Sequence, residues 1–314
     1  MSINWFPGHM HKARKEIAEV MPQVDIIIEM LDARIPFSSE NPLVPQLRGN
    51  TPCIKVLNKA DLADPALTQR WVEHFDSQAG IKAIPISQQN PEQIRALLQL
   101  CNDMLPERNL DIRGARAMIM GIPNVGKSTL INTLAGRTIA KTGNEAGVTK
   151  MQQRIKLDNN VILTDTPGFL WPKLSPPTCG YRLAVTGAIK DTVFDYADIA
   201  MFAADYLLQA YPQAVMQRFG ITEVPENDIA LMDAIGIKRG AMRKGGIVDL
   251  FHAKFQSQID NGDNRAPEIQ DPFNIVRGIR DSRHVRISFN LLNLQDIHPI
   301  VFLSKHKRQI LPFI

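Results

Sequence analysis

Hydrophobic positions in the first half of the chain fall into short, mostly continuous runs at 25–32 (DIIIEMLD), 52–57 (PCIKVL), 82–86 (KAIPI), 116–120 (RAMIM) and 161–165 (VILTD). Continuous apolar runs, as opposed to alternating ones, suit strands covered on both faces, as in a parallel sheet. Between them the spacing turns helical. Helices are predicted over 65–75 behind Asp64, over 91–104 behind Asn90, and over 127–135 straight from a Gly-rich loop. Asp or Asn before the first turn, followed by Pro, is a helix-start signal. Strands alternating with helices predict an α/β doubly wound domain, where ligands gather in loops at the carboxyl ends of the strands.

The pattern changes near residue 172. Helical stretches at 181–191, 193–209, 226–236 and 247–259 are interrupted by Pro and Gly at 172–180, 211–225 and 236–246. These features predict an α/β domain over 1–175, a smaller helical domain over 176–290, and a tail over 291–314. A length of 314 residues is enough for two cores of useful size. The N-terminus, MSINWFPGHMHKARKEI, lacks the apolar stretch of a signal peptide, and no uncharged run reaches the ~20 residues of a membrane span. A cytoplasmic, monomeric protein with no membrane partner is expected. Cys53, Cys101 and Cys179 are isolated, which suggests neither a disulfide framework nor a zinc site.

Three short motifs carry the chemistry. Residues 58–61 read NKAD, the NKxD string that reads guanine. Residues 121–128 read GIPNVGKS, the GxxxxGK[ST] phosphate-binding loop, and 165–168 read DTPG, the DxxG element that sits beside magnesium and a γ-phosphate. Each follows a predicted strand at its carboxyl end. An ordinary GTPase runs phosphate loop, DxxG, NKxD; here NKxD comes first, the order of a circular permutation.

Each residue type fits its task. Gly121 and Gly126 let successive backbone N–H groups of the loop, with Val125 and Thr129 flanking the turn, face the β-phosphate beside a helix N-terminus. Lys127 brings a point charge to the β- and γ-oxygens, and Ser128 offers its hydroxyl to Mg2+. Asp61 accepts the ring N–H and exocyclic amine of guanine, donors that adenine lacks at those positions. Asn58 can bridge the guanine edge and the phosphate loop, and the Lys59 stem can lie over the purine. Ser87 and Gln88 end the next strand, where a backbone N–H meets the guanine carbonyl oxygen.

Asp165 is placed to orient a magnesium-bound water, and the Gly168 N–H to meet the γ-phosphate. Thr149, in GVTK, is the candidate for completing magnesium coordination, with Thr142 behind it. Asn124 can supply an oxygen to K+ beside the phosphates, or simply hold the turn. Phe169 stands where many GTPases place a water-orienting Gln, and an apolar side chain cannot orient water. The catalytic polar group must therefore come from elsewhere, with His9 of WFPGHM the candidate in cis.

The permutation makes 105–115 a link joining the old ends, and runs the γ-phosphate-sensing segment through 169–180 into the helical region. Loss of the phosphate can then move that region directly. Basic clusters at 238–246 (KRGAMRKGG), at Arg277, Arg280, Arg283, His284 and Arg286, and at Lys12, Arg14 and Lys15 suit the phosphates of folded RNA. The net charge of +4 permits such a partner without requiring it.

Taken together, WFPGHMHKA at 5–13, DARIP at 32–36, NKAD at 58–61, GIPNVGKSTLIN at 121–132, GVTK at 147–150 and DTPG at 165–168 resemble the circularly permuted ribosome-assembly GTPases of the RbgA/YlqF type. The resemblance is dense over residues 1 to about 175 and looser beyond. It implies a circularly permuted Ras-like P-loop GTPase domain followed by a smaller helical RNA-binding domain. It also implies GTP/GDP and Mg2+ as ligands, and the large (50S) ribosomal subunit, with its rRNA and ribosomal proteins, as partner in late maturation. Hydrolysis stimulated by the pre-ribosome, and Phe169 as the hydrophobic replacement of the catalytic Gln, follow from the same likeness. Two alternatives stand beside it. One is a nucleotide-gated RNA-binding switch that does not hydrolyse; the other is a different permuted assembly GTPase with little intrinsic hydrolysis.

Overall fold

The computed structural model describes residues 3, 5–87, 90–105, 114–140, 153–157 and 160–238. Six strands form one sheet: β1 (Ile26–Asp32), β2 (Cys53–Asn58), β3 (Ile81–Ile86), β4 (Ala115–Gly121), β5 (Gln153–Lys156) and β6 (Val161–Asp165). Their spatial order is β3-β2-β1-β4-β6-β5, parallel throughout except for β5, which runs antiparallel to β6. Counted from β4, the order becomes that of a Ras-like sheet whose phosphate-loop strand comes first and whose second strand is antiparallel. The permutation read from the motif order is thus present in the topology.

All five strands expected from the apolar runs form, and so do helices α4 (Pro65–Asp76), α5 (Pro91–Asp103) and α6 (Lys127–Ala135). Their caps work as expected: Asp64 Oδ1 accepts from Leu67 N–H at 3.0 Å, and Asn90 Oδ1 accepts from Glu92 N–H at 3.1 Å. Pro85 lies within β3, which is an edge strand and so tolerates a missing ladder donor. The strand β5 is legible only in structure, because its four residues, QRIK, alternate and sit on the other edge.

Two charges interrupt the apolar runs of β1 and β2, and the register sets them opposite each other. Glu29 pairs with Lys55, with Nζ 2.6 Å from Oε2, and Glu40 closes a second contact at 2.7 Å. Asn41 N–H donates to the other Glu29 oxygen at 3.0 Å. Burial pushes the Glu29 carboxyl up, against the pull of the Lys55 ammonium. A buried pair of this kind persists because its remaining lone pairs are hydrogen-bonded.

The N-terminal segment forms α1 (Gly8–Val20), a helix whose buried stripe is only Met10, Ala13 and Ile17. So narrow a stripe among charged residues gives little periodic signal. Short helices α2 (Pro36–Ser39) and α3 (Val44–Arg48) follow β1.

Beyond the sheet lie α7 (Pro177–Val185), α8 (Tyr196–Ala210), α9 (Pro212–Phe219) and α10 (Asp228–Lys238). Three match expected helices with shifted ends. The stretch 211–225, expected to be broken by Pro and Gly, contains α9: Pro212 opens it and Gly220 closes it in a left-handed cap. Helix α7 begins earlier than expected and includes Gly180. A Cβ there would lie 2.8 Å from Ile3 O, so this glycine marks a close approach of Ile3 and not a break. The expected helix at 247–259, the link 106–113 and the tail from 291 lie outside the described residues. One buried cluster runs from the sheet through Phe169, Leu170 and Leu174 to Leu183, Ile199 and Leu231.

Candidate functional site

Parallel strands on either side of β1 and β4 diverge in their connections, and the crevice at their carboxyl ends is the ligand position of an open α/β sheet. Asp32, Asn58, Gly121 and Asp165 all end strands there.

The NKAD segment and the GIPNVGKS loop touch. Asn58 is fully buried; its amide donates to Val125 O at 2.7 Å, while its own Oδ1 is buried without a partner. Lys59 takes a left-handed backbone, φ 60°, and its Nζ donates to Asn124 O at 3.1 Å and to Asp32 Oδ2 at 3.0 Å. Asp61 is half-buried in the short turn Ala60–Leu62. Ser87 is nearly buried and its N–H donates to Gln93 Oε1 at 2.9 Å. Gln88 lies outside the described residues.

On the phosphate side, Gly126 caps α6 with a left-handed backbone, φ 105°, which aims the first N–H groups of that helix back toward the loop. Ser128 and Thr129, in its first turn, are half-buried. The Lys127 ammonium is buried and folds onto the loop, donating to Ile122 O at 3.0 Å and Gly121 O at 3.2 Å. The DTPG turn packs directly over it. A Cβ on Gly168 would meet Pro123 Cα at 2.8 Å and Lys127 Nζ at 3.1 Å, so only glycine lets the two segments lie this close. Thr166 Oγ1 donates to Ile119 O at 2.8 Å and anchors the turn.

Asp165 is buried, and its Oδ1 has no hydrogen-bond partner. Burial pushes its carboxyl up to about 6, against the pull of Lys127; burial likewise brings the Lys127 ammonium down to about 8, against the pull of Asp165. An acid and a base are each held near neutrality with part of their bonding capacity unspent. Such an arrangement suits an incoming cation and polyphosphate.

Phe169 is wholly buried; its N–H donates to Gly121 O at 3.2 Å and its carbonyl accepts from Asn41 Nδ2 at 3.4 Å. Its ring packs in the core. The next residue, Leu170, donates its N–H to Met10 Sδ at 3.4 Å, which ties α1 to the segment after DTPG. His9 is exposed beside Met10, its ring edge-on to Trp5 with centroids 6.3 Å apart. The Asn124 amide donates to Gly187 O at 2.7 Å, just past α7, and its φ of 56° holds the loop's turn. Thr142 and Thr149 lie outside the described residues, as do 239–246 and Arg277, Arg280, Arg283, His284 and Arg286.

Residues 116–220 match the family described as 50S ribosome-binding GTPase. "Ribosome biogenesis GTPase A" of Priestia megaterium is 47% identical over 257 residues, covering 79% of this chain and 89% of that one. The protein of the same name from Thermotoga maritima is 31% identical over 251 residues, 80% of this chain and 87% of that one. The chain belongs to the ribosome biogenesis GTPase A family. A solved structure, GNP-bound YlqF from T. maritima, superposes with a TM-score of 0.55 at 25% identity, covering 87% of this chain and 96% of that one. Membership of the ribosome biogenesis GTPase A family makes the protein a GTPase that binds guanine nucleotide. Asp32 and Arg34 were visible in sequence only as part of DARIP; their mutual pairing and the contact of Asp32 with Lys59 emerge from the fold.

Proposed function

We propose that this protein binds GTP and Mg2+ between NKAD and the phosphate loop, hydrolyses GTP, and uses the cycle to engage and leave the maturing large ribosomal subunit through rRNA. One observation carries the reading: the guanine-reading segment is hydrogen-bonded to the phosphate loop through Asn58–Val125 and Lys59–Asn124. A base and a triphosphate are thereby recognised by one rigid unit.

Asp61 selects guanine, and the buried Asn58 Oδ1 is free to meet the base edge. Lys127 and the loop N–H groups hold the β- and γ-phosphates, and the Gly168 N–H reports the γ-phosphate. The unpartnered Asp165 Oδ1 fits a magnesium ion, held with Ser128 and with Thr149; bound there, the ion would neutralise phosphate charge. Because Phe169 is core, the water-orienting group lies elsewhere. His9 is the candidate in cis, since α1 is tied by Met10 to Leu170, two residues past Gly168. Potassium beside Asn124 would add a positive charge at the phosphates.

Among the described residues no helix is long and apolar enough to cross a membrane. The exposed Lys12, Arg14 and Lys15 on α1 suit an RNA backbone. Sedimentation with ribosomal subunits in GTP, GDP and a non-hydrolysable analogue tests the reading. Large-subunit association that depends on the γ-phosphate supports it; association indifferent to nucleotide refutes the cycle. Phosphate release with and without subunits separates an enzyme from a passive switch. His9→Ala should slow that release at unchanged GTP affinity, and equal rates in potassium and sodium would dismiss the monovalent ion.

A further inference from the structure

Asp32 ends β1 in register with Asn58, one strand away from the guanine-reading segment. Its side chain and that of Arg34 are both buried. The Arg34 guanidinium grips both carboxylate oxygens, Nε to Oδ1 at 2.9 Å and Nη2 to Oδ2 at 2.7 Å. The Arg34 N–H adds a bond to Oδ1 at 3.1 Å, and the Asp32 N–H is itself held by Ser39 Oγ at 3.0 Å. A rigid guanidinium fork fixes a carboxylate in orientation as well as in charge. Despite burial, Arg34 and Lys59 together hold the Asp32 carboxyl well below the usual carboxylate range, so it is ionised under all ordinary conditions.

One direction of this carboxylate is left for Lys59. Its Nζ lies 3.0 Å from Asp32 Oδ2 and 3.1 Å from Asn124 O in the phosphate loop. The peptide that leads into Lys59 is fixed too, because Ala33 N–H donates to Asn58 O at 2.8 Å. A lysine stem has several rotatable bonds, and one carbonyl contact at a partly exposed position does little to restrict them. The second, charge-assisted contact converts a mobile stem into a strut between strand end and phosphate loop. Fixing such a group before the ligand arrives removes an ordering cost from binding.

We propose that Asp32 and Arg34 are positioning residues for guanine-nucleotide binding, acting through Lys59 by locking its side chain against the phosphate loop. This rests on the guanine-nucleotide reading of the site. The competing account makes the Asp32–Arg34 pair a staple of the turn after β1, important for stability and indifferent to Lys59.

The full chain decides between them in a double-mutant cycle of Asp32→Asn and Lys59→Met, scored by affinity and dissociation rate of fluorescent GDP, with thermal unfolding alongside. Each single variant should bind about tenfold more weakly and release GDP faster, and the double variant should lose no more than about twofold beyond the weaker single. Losses that multiply to about a hundredfold, or a lowered unfolding temperature at unchanged affinity, would overturn the proposal. Should Asp32→Asn not fold, Arg34→Lys keeps the charge and loses the fork. Its loss of about threefold should vanish in the Lys59→Met background, and its persistence there would count against the strut. Wild-type protein that fails to bind GDP would instead sink the site reading, a result distinct from additive losses.

Discussion

The two halves of the proposed nucleotide crevice are built differently. On the guanine side the charged groups are already paired, Lys59 to Asn124 O and Asp32, and Asp32 to Arg34; Asn58 donates to Val125 O and keeps its Oδ1 unmatched. On the phosphate side, the two charged groups are buried and short of partners. Lys127 leans on two loop carbonyls, and Asp165 leaves an oxygen unmatched. In the first half the charges are fixed before ligand arrives and one amide oxygen is left open, which would favour selection of one base. The second carries an electrostatic debt that Mg2+ and phosphate would discharge. Selectivity is therefore located in rigid hydrogen bonds, and chemistry in desolvated charge.

The sharpest way to break this division is at the base. Asp61→Asn should lower GTP and GDP affinity by about 10³-fold, because the buried guanine donors lose their carboxylate acceptor. An amide there can donate to the carbonyl that xanthine carries in place of guanine's amine, so binding of the xanthine nucleotide should rise. Competition measurements with GTP, XTP and ATP report both. Unchanged guanine preference would show that the base is read elsewhere.

On the phosphate side, Lys127→Met should cut single-turnover hydrolysis by about 10²–10³-fold, the scale of losing one pre-placed electrostatic group. The nucleotide-free protein should lose no thermal stability, since the substitution removes a buried ammonium whose desolvation outweighs the pull of Asp165. A guanine-side counterpart such as Arg34→Met should do the opposite and destabilise the free protein, stranding a buried carboxylate. Identical stability losses in both would erase the contrast.

Phe169 tests whether the apolar residue after DTPG is a defect or a wall. Phe169→Gln places an amide in a wholly buried position and should cost about 3 kcal/mol in chemical denaturation, without speeding GTP hydrolysis. Faster turnover would mean that the side chain can reach the γ-phosphate after all.

How much of this was legible in the sequence varies with the kind of signal. The central strands are buried on both faces, so they read as apolar runs, and their ends fall within a residue or so of the expected ones. The motifs mark the crevice because phosphate chemistry demands glycine, lysine and hydroxyl at fixed spacing. Helix α1 escaped because three buried residues in thirteen make a faint stripe, and α9 because its Pro and Gly are caps that look like breakers. The pairings Asp32–Lys59, Asn124–Gly187 and Met10–Leu170 join residues 27, 63 and 160 positions apart, and no local pattern encodes such contacts. Glu29 and Lys55 could be suspected, as lone charges in apolar runs, but only the register shows that they face each other.

The smallest expected effect is on pH dependence, and it isolates the phosphate side. Asp165 is raised by burial from an ordinary 3.8 to about 6, and Lys127 is lowered by burial from 10.5 to about 8. Between pH 3.8 and 6 the folded carboxyl keeps a proton that the unfolded chain has lost, so its contribution to stability falls as pH rises through that window. Between pH 8 and 10.5 the unfolded lysine keeps a proton that the folded one has lost, so stability recovers as pH rises. The pair therefore costs the nucleotide-free protein most between about 6 and 8, where both groups are charged. Thermal unfolding of nucleotide-free wild type and Asp165→Asn across this range measures the acid arm as a difference, which cancels every other titrating group. The difference should grow from pH 4 to 6 and then level off. It should shrink when GDP and magnesium are present, because the ion and phosphates then share the crevice with both charges. A difference that is flat with pH would show that Asp165 is already satisfied in the empty crevice, and the phosphate side would be as finished as the guanine side.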